Sequence, residues 1–199
     1  MLILAADVSL PILSVALVLD DVLLGAIAME GKSSRNEKLL PAIDWLLTEG
    51  AIDRKTIDLF AVTRGPGSFT GVRIGLATMQ GFALALGKPV CAMSTHEAIA
   101  PDSGHVAVVD DAGRGEFYVS LFENGREIVV PHLAKRDEVD ALDHTIRVAD
   151  VMQRENVALA CARRARAIVE RGDGERYRDV TPIYVRLAEA EVKLQQQKQ

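Results

Sequence analysis

Asp7 and Ser9 close an apolar run that begins at Leu2, and Asp110 and Asp111 close a second run that begins at Val106. Carboxylates at the carboxyl ends of strands stand where open α/β sheets hold ligands, and two that face each other could organise a metal-bound phosphate. Acids in such places also cap turns and following helices, so a structural reading stands beside the chemical one. Between them lies Arg64-Gly65-Pro66-Gly67-Ser68-Phe69-Thr70-Gly71-Val72-Arg73-Ile74-Gly75, the most informative stretch of the chain. Glycines at a strand-to-helix turn admit left-handed backbone angles and can expose the N–H groups of a helix start to an anion. A phosphate site drawn from Asp7, Ser9, Gly65, Gly67, Ser68, Thr70, Gly71 and Asp110 is one expectation. A turn that only brings helix and sheet close together is the other. The stretch is not a P-loop, because no Gly-Lys-Ser/Thr follows, and it is not a dinucleotide fingerprint, because position 70 is threonine.

Other chemistries find fewer residues. His96, His105, His132 and His144 are never three or four apart, so no helical metal pair exists and no metal-ligand set is expected. Ser68 follows Gly67 directly and forms no nucleophile elbow, which argues against a serine hydrolase. Cys91 and Cys161 are far apart and are expected as reduced core residues. A net charge of −5 without a long basic stripe is a poor footprint for holding nucleic acid unaided, so any RNA contact is expected through a partner. No run reaches about 18 uncharged apolar residues, and Asp7 interrupts the apolar start, so no membrane span or signal core is expected and the cytoplasm is the default.

These residues need elements to carry them. Leu2 to Asp7, Ser14 to Leu19 and Val22 to Met29 read as an antiparallel meander, with Asp20-Asp21 as the last tight turn. Asn36, Leu39, Leu40, Ile43, Leu46 and Leu47 recur at helical steps before Gly50, although Pro41 predicts a kink or a start near Leu40. Leu59 to Thr63 reads as a buried strand that feeds the glycine loop. The helix after it is capped by Ser68 or Thr70 and stopped by Gly87, and Val90 to Met93 is another strand. Val106 to Asp110, Glu116 to Phe122 and Glu127 to Val130 repeat the meander. Residues 1–100 are thus expected as one lobe and 101–199 as a shorter second one. Ala158 to Arg171 reads as helix, Ile183 to Val185 as a short strand, and the glutamine-rich tail from Leu194 as loose.

The helix from Phe69 to Leu86 has two apolar or small faces, one of Phe69, Val72, Leu76, Met79, Ala83 and Leu86, the other of Gly71, Gly75, Thr78, Phe82 and Ala85. A helix lying on a sheet needs only one, so the second implies a neighbouring helix or another subunit. Trp45 lies off the preceding helix's leucine stripe, either as an interface anchor or partly buried beside the sheet.

Ile3-Leu4-Ala5-Ala6-Asp7-Val8-Ser9, Glu37-Lys38-Leu39-Leu40-Pro41, the Arg64 to Gly75 stretch, Arg114-Gly115-Glu116-Phe117-Tyr118 and Pro182-Ile183-Tyr184-Val185-Arg186-Leu187 together resemble the TsaB/YeaZ family. The resemblance implies an α/β, actin-like ATPase (ribonuclease-H-like) fold of two lobes, each a mixed sheet flanked by helices, the second abbreviated. It implies a non-catalytic scaffold in tRNA threonylcarbamoyladenosine synthesis that pairs with a TsaD-type catalytic paralogue through its first two helices. A TsaE-type small ATPase would join, and the isolated chain would be a homodimer. ATP or ADP and a divalent metal are then expected on the partners and none on this chain, with tRNA held only through the complex. Leu39, Leu40, Ile43, Leu47, Val72, Ile74, Leu76 and Met79 are the candidate pairing surface. Against the family pattern, Asn36 stands where many relatives have histidine, and Asp7-Val8-Ser9 replaces Asp-Thr-Ser. The rival reading is an independent actin-like ATPase or phosphotransferase using Asp7, the Gly65 to Gly71 loop and Asp110.

Overall fold

The computed structural model describes residues 1–30 and 35–186. Its first sheet has strands β1 (Leu2–Asp7), β2 (Ile12–Leu19), β3 (Val22–Glu30), β4 (Leu59–Thr63) and β5 (Val90–Met93) in the order β3-β2-β1-β4-β5. β1 and β2 pair antiparallel, as do β2 and β3, whereas β1 and β4 run parallel with Ile3 opposite Leu59. All six residues of β1 are buried, because both faces of this strand are covered. Leu2, Leu4 and Ala6 face helices α1 (Arg35–Glu49) and α2 (Phe69–Leu86). Ile3 and Ala5 face α6 (Val157–Glu170), whose Ala158, Cys161, Ala162, Ala165 and Ile168 form a stripe at helical spacing. Both cysteines are free and buried in that layer.

The second sheet has the order β8-β7-β6-β9, built from β6 (His105–Gly113), β7 (Glu116–Glu123), β8 (Arg126–Lys135) and β9 (Thr145–Arg147). A three-strand meander with a parallel fourth strand beside its first member therefore occurs twice, since β6 pairs with β9 as β1 pairs with β4. Short helices α3 (Thr95–Ile99), α4 (Arg136–Asp140) and α5 (Val148–Arg154) complete the described elements, with 3-10 turns at Arg54–Thr56 and Gly174–Tyr177.

Several expectations need correction. α1 starts at Arg35 and runs through Pro41, which leaves the Glu37 carbonyl without its helical donor. Residues 183–185 form no strand; they lie as an irregular strap held by the Ile183 N–H on the Arg64 carbonyl at 2.7 Å. α2 does reach the length and composition of a membrane-crossing helix, but its Val72, Leu76, Met79 and Ala83 are buried within the chain. The Asn36 side chain, Leu187 and the tail from Leu194 lie outside what is described.

Candidate functional site

Asp7, at the end of the central strand, is fully buried. Its Oδ1 accepts from the Ser9 hydroxyl at 2.5 Å, from the Ser9 N–H at 3.2 Å and from the Thr63 hydroxyl, while Oδ2 has no partner. Burial pushes its carboxyl above the ordinary value, and the Ser9 and Thr63 hydrogen bonds pull the other way. Ser9 Oγ also lies 2.9 Å from Thr95 Oγ1, at the start of α3.

The glycine loop closes on this strand end. The Ser68 N–H donates to the Ser9 carbonyl at 2.7 Å, and the Gly71 N–H donates to Ser68 Oγ at 3.2 Å, which makes Ser68 the N-cap of α2. A Cβ on Gly67 would overlap the Ser9 carbonyl, and one on Gly71 the Val8 carbonyl, both inside the 3.0 Å that side chains essentially never breach. These two glycines let the backbone that follows β1, at Val8 and Ser9, lie against the helix start.

Between the lobes, Ser9, Gly67, Ser68, Asp110, Asp111 and Tyr118 line a cleft of about 470 Å³. Burial lifts the Asp110 carboxyl from 3.8 to about 6, with the charges of Asp111 and Asp7 adding to the rise. Among the described residues no lysine or arginine lines this cleft. The described residues also hold no group of three or more side chains able to share a metal ion. The nucleotide that an actin-like fold implies does not fit these donors. Val8 and Ser9 fill the loop's concavity, the Ser68 and Gly71 amides are spent within the chain, and a phosphate would face carboxylates. Of the residues expected to form a phosphate site, Asp7, Ser9, Gly65, Gly67, Ser68, Thr70, Gly71 and Asp110, the packing of the strand end on the helix start accounts for Gly67, Ser68 and Gly71, as the structural reading of the loop expects.

The raised Asp110 carboxyl has a measurable consequence. The folded chain binds more protons than the unfolded one between pH 3.8 and about 6, so this group's contribution to stability falls as pH rises through that window. Asp110→Asn should therefore raise stability at pH 7 by about 1–3 kcal/mol and change little near pH 3, read from denaturation midpoints at the two pH values.

The expected pairing surface is corrected more sharply. Leu39, Ile43, Leu47, Val72, Leu76 and Met79 are buried in the layer between α1, α2 and the sheet, and Ile74 is half-buried. Only Leu40 of the eight is exposed. The strongest stripes face the chain's own sheet because that burial stabilises each large side chain by about 1.5–3 kcal/mol. Phe82, on the second face of α2, stacks on Phe60 at 5.8 Å. A third face of α2 looks outward, with Thr70, Arg73, Ala77, Gln80, Gly81 and Leu84 all exposed. Leu84 is 84% exposed, and on α1 Trp45 is 56% and Leu40 52% exposed. A Cβ on Gly81 would meet nothing within 4 Å.

Sequence reasoning missed the strap over residues 179–186. Asp179 Oδ2 accepts from Arg64 at 3.1 Å, the Tyr184 ring stacks on Phe69 at 4.8 Å, and Arg186 pairs with Glu116 in the second lobe. The strap thus joins the glycine loop to the β6–β7 hairpin. The run Pro182 to Arg186, with its aromatic and its arginine, was the available signal.

Two lobes with the same mixed-sheet order, helices on both faces of the first sheet and acids at matching positions of β1 and β6, each just past the pairing with its parallel strand, define an actin-like, ribonuclease-H-like ATPase fold, its second sheet one strand shorter. Comparisons place the chain more narrowly. The family described as TsaD: tRNA N6-adenosine threonylcarbamoyltransferase matches residues 30–170. The tRNA threonylcarbamoyladenosine biosynthesis protein TsaB of Bacillus subtilis is 33% identical over 138 residues, which cover 66% of this chain and 60% of that protein's length. TsaB of Escherichia coli is 36% identical over 98 residues, covering 45% of this chain and 42% of its own. The structure of YeaZ from Pseudomonas aeruginosa superposes with a TM-score of 0.73 at 25% identity, covering 92% of this chain and 99% of YeaZ. The chain belongs to the TsaB/YeaZ family.

Proposed function

We propose that this chain is a non-catalytic scaffold and activator in tRNA threonylcarbamoyladenosine synthesis, pairing with a TsaD-type catalytic paralogue. The observation that carries it is the outward face of α1 and α2, where Leu40, Trp45, Ala77, Gly81 and Leu84 are exposed. Small residues there let a partner helix approach closely while large apolar ones offer area to bury. The match of residues 30–170 to the TsaD family spans both helices, which supports a paralogue that presents a related surface and packs across a pseudo-two-fold. Alone, the same face would join two copies of this chain. On this reading a TsaE-type ATPase, ATP or ADP and a divalent metal belong to the partners. Transfer chemistry and tRNA contact would come only through the cytoplasmic complex.

The test is light scattering of the chain alone and mixed with the catalytic paralogue from the same genome, followed by a tRNA-modification assay. The expected result is exchange of a homodimer for a mixed complex, with modification only when both proteins are present. Modification by the single chain, or no mixed complex, would overturn the proposal.

A further inference from the structure

Arg73 is the one charged residue of α2, and it stands at the start of the outward face, one turn before Ala77. Its guanidinium carbon lies 3.9 Å from the centre of the Phe69 ring and 5.5 Å from that of Tyr184. The two rings are 4.8 Å apart, tilted by 32°, and are 37% and 39% exposed. Nε donates to the Tyr184 hydroxyl at 2.6 Å. That bond and the stacking fix the plane of the group and leave both terminal nitrogens as a two-pronged donor. Among the described residues no carboxylate lies within ion-pair distance of it, whereas Arg64, Arg164 and Arg186 each have one.

We infer that Arg73 is the specificity-determining contact of the pairing face, held by Phe69 and Tyr184 to receive a carboxylate of the catalytic paralogue. The inference rests on the pairing proposed above. A guanidinium fork matches carboxylate and phosphate alike. A nucleic-acid backbone, however, is held by several cations together, and α2 offers one at the edge of a surface of alanine, glycine and leucine. A docked partner helix removes water from that edge. A partner without a carboxylate then leaves a desolvated charge unpaired, which is how such a residue rejects wrong partners. Tyr184 acts without touching the partner. It pre-orients the fork, so that less freedom is lost on binding.

The experiment measures the affinity of the full chain for the paralogue at low and high salt, for Arg73→Ala, Arg73→Lys, Tyr184→Phe and Leu84→Glu. Arg73→Ala should weaken binding about 10- to 100-fold and flatten its salt dependence, while its melting midpoint falls only slightly, from the lost contact to Tyr184. Arg73→Lys should not restore it, since an ammonium lacks the fork. Tyr184→Phe, which keeps the ring and removes the acceptor, should weaken binding about 3- to 10-fold. Wild-type affinity for Arg73→Ala while Leu84→Glu abolishes binding would overturn the inference and leave the pairing intact. Wild-type affinity for Leu84→Glu as well would overturn both. Loss of tRNA retention by the complex with unchanged protein pairing would reassign Arg73 to a phosphate and overturn it too.

Discussion

Gly71→Ala should leave little folded protein, although it adds one methyl group. The Cβ would fall onto the Val8 carbonyl oxygen, and both contacting groups are backbone, so no side chain can swing aside. Relief requires the start of α2 to move off the end of β1. That movement breaks the Gly71 N–H bond to Ser68, the Ser68 N–H bond to Ser9 and the burial of Val72 beside them. Overpacking in a rigid core costs about 1–3 kcal/mol where side chains can adjust, and the cost here should reach or exceed that upper figure. A domain of this size is stable by about 5–15 kcal/mol, so the loss is a large share. Soluble yield and the denaturation midpoint read it directly. Gly81→Ala is the matched control: it sits on the same helix with open space around its Cβ and should fold at least as well as the parent chain. A Gly71→Ala chain as stable as the parent would mean that the close approach of loop and strand is not required.

The second large effect falls on assembly and spares the fold. Leu84 is 84% exposed, so Leu84→Glu removes no packing from the monomer and should leave its melting unchanged. In the complex, the same position would bury a carboxylate against apolar and small residues, at a cost of several kcal/mol. Affinity for the paralogue should fall by about 100-fold or more. Met79→Glu gives the opposite pattern: Met79 is buried beneath α2, and a charge there should unfold the chain before pairing can be asked about. Read by light scattering and calorimetry, this contrast separates a pairing surface from a core. The pairing surface moves if Leu84→Glu binds as well as the parent.

That contrast also marks what could be read from the residues alone. Short apolar runs bounded by turn residues located the strands that carry Asp7 and Asp110, and Ser68 and Gly87 cap α2 where their chemistry puts them. Periodicity tells which residues share a helix face. It does not tell what that face meets, and the richest stripe of α2 turned toward its own sheet, leaving the plainer row of Arg73, Ala77, Gly81 and Leu84 outside. The glycine loop left two readings open for a related reason: glycine permits any close approach, and only the Val8 and Ser9 carbonyls identify the approaching group as the chain itself. Elements as short as β9 and α3 hold too few residues for a period to register. The strap is fixed by contacts more than a hundred residues away, through Arg64 and Arg73, which no local pattern encodes.

The packing of α6 bears on how the protein is made. The back of the first sheet is roofed by residues 157–170, so while a ribosome is still synthesising the middle of the chain, Ile3, Ala5, Ala16 and Val18 have no cover on that side. The first sheet thus waits for a helix that is synthesised only after the whole second sheet, and the exposed interval is an opening for chaperones.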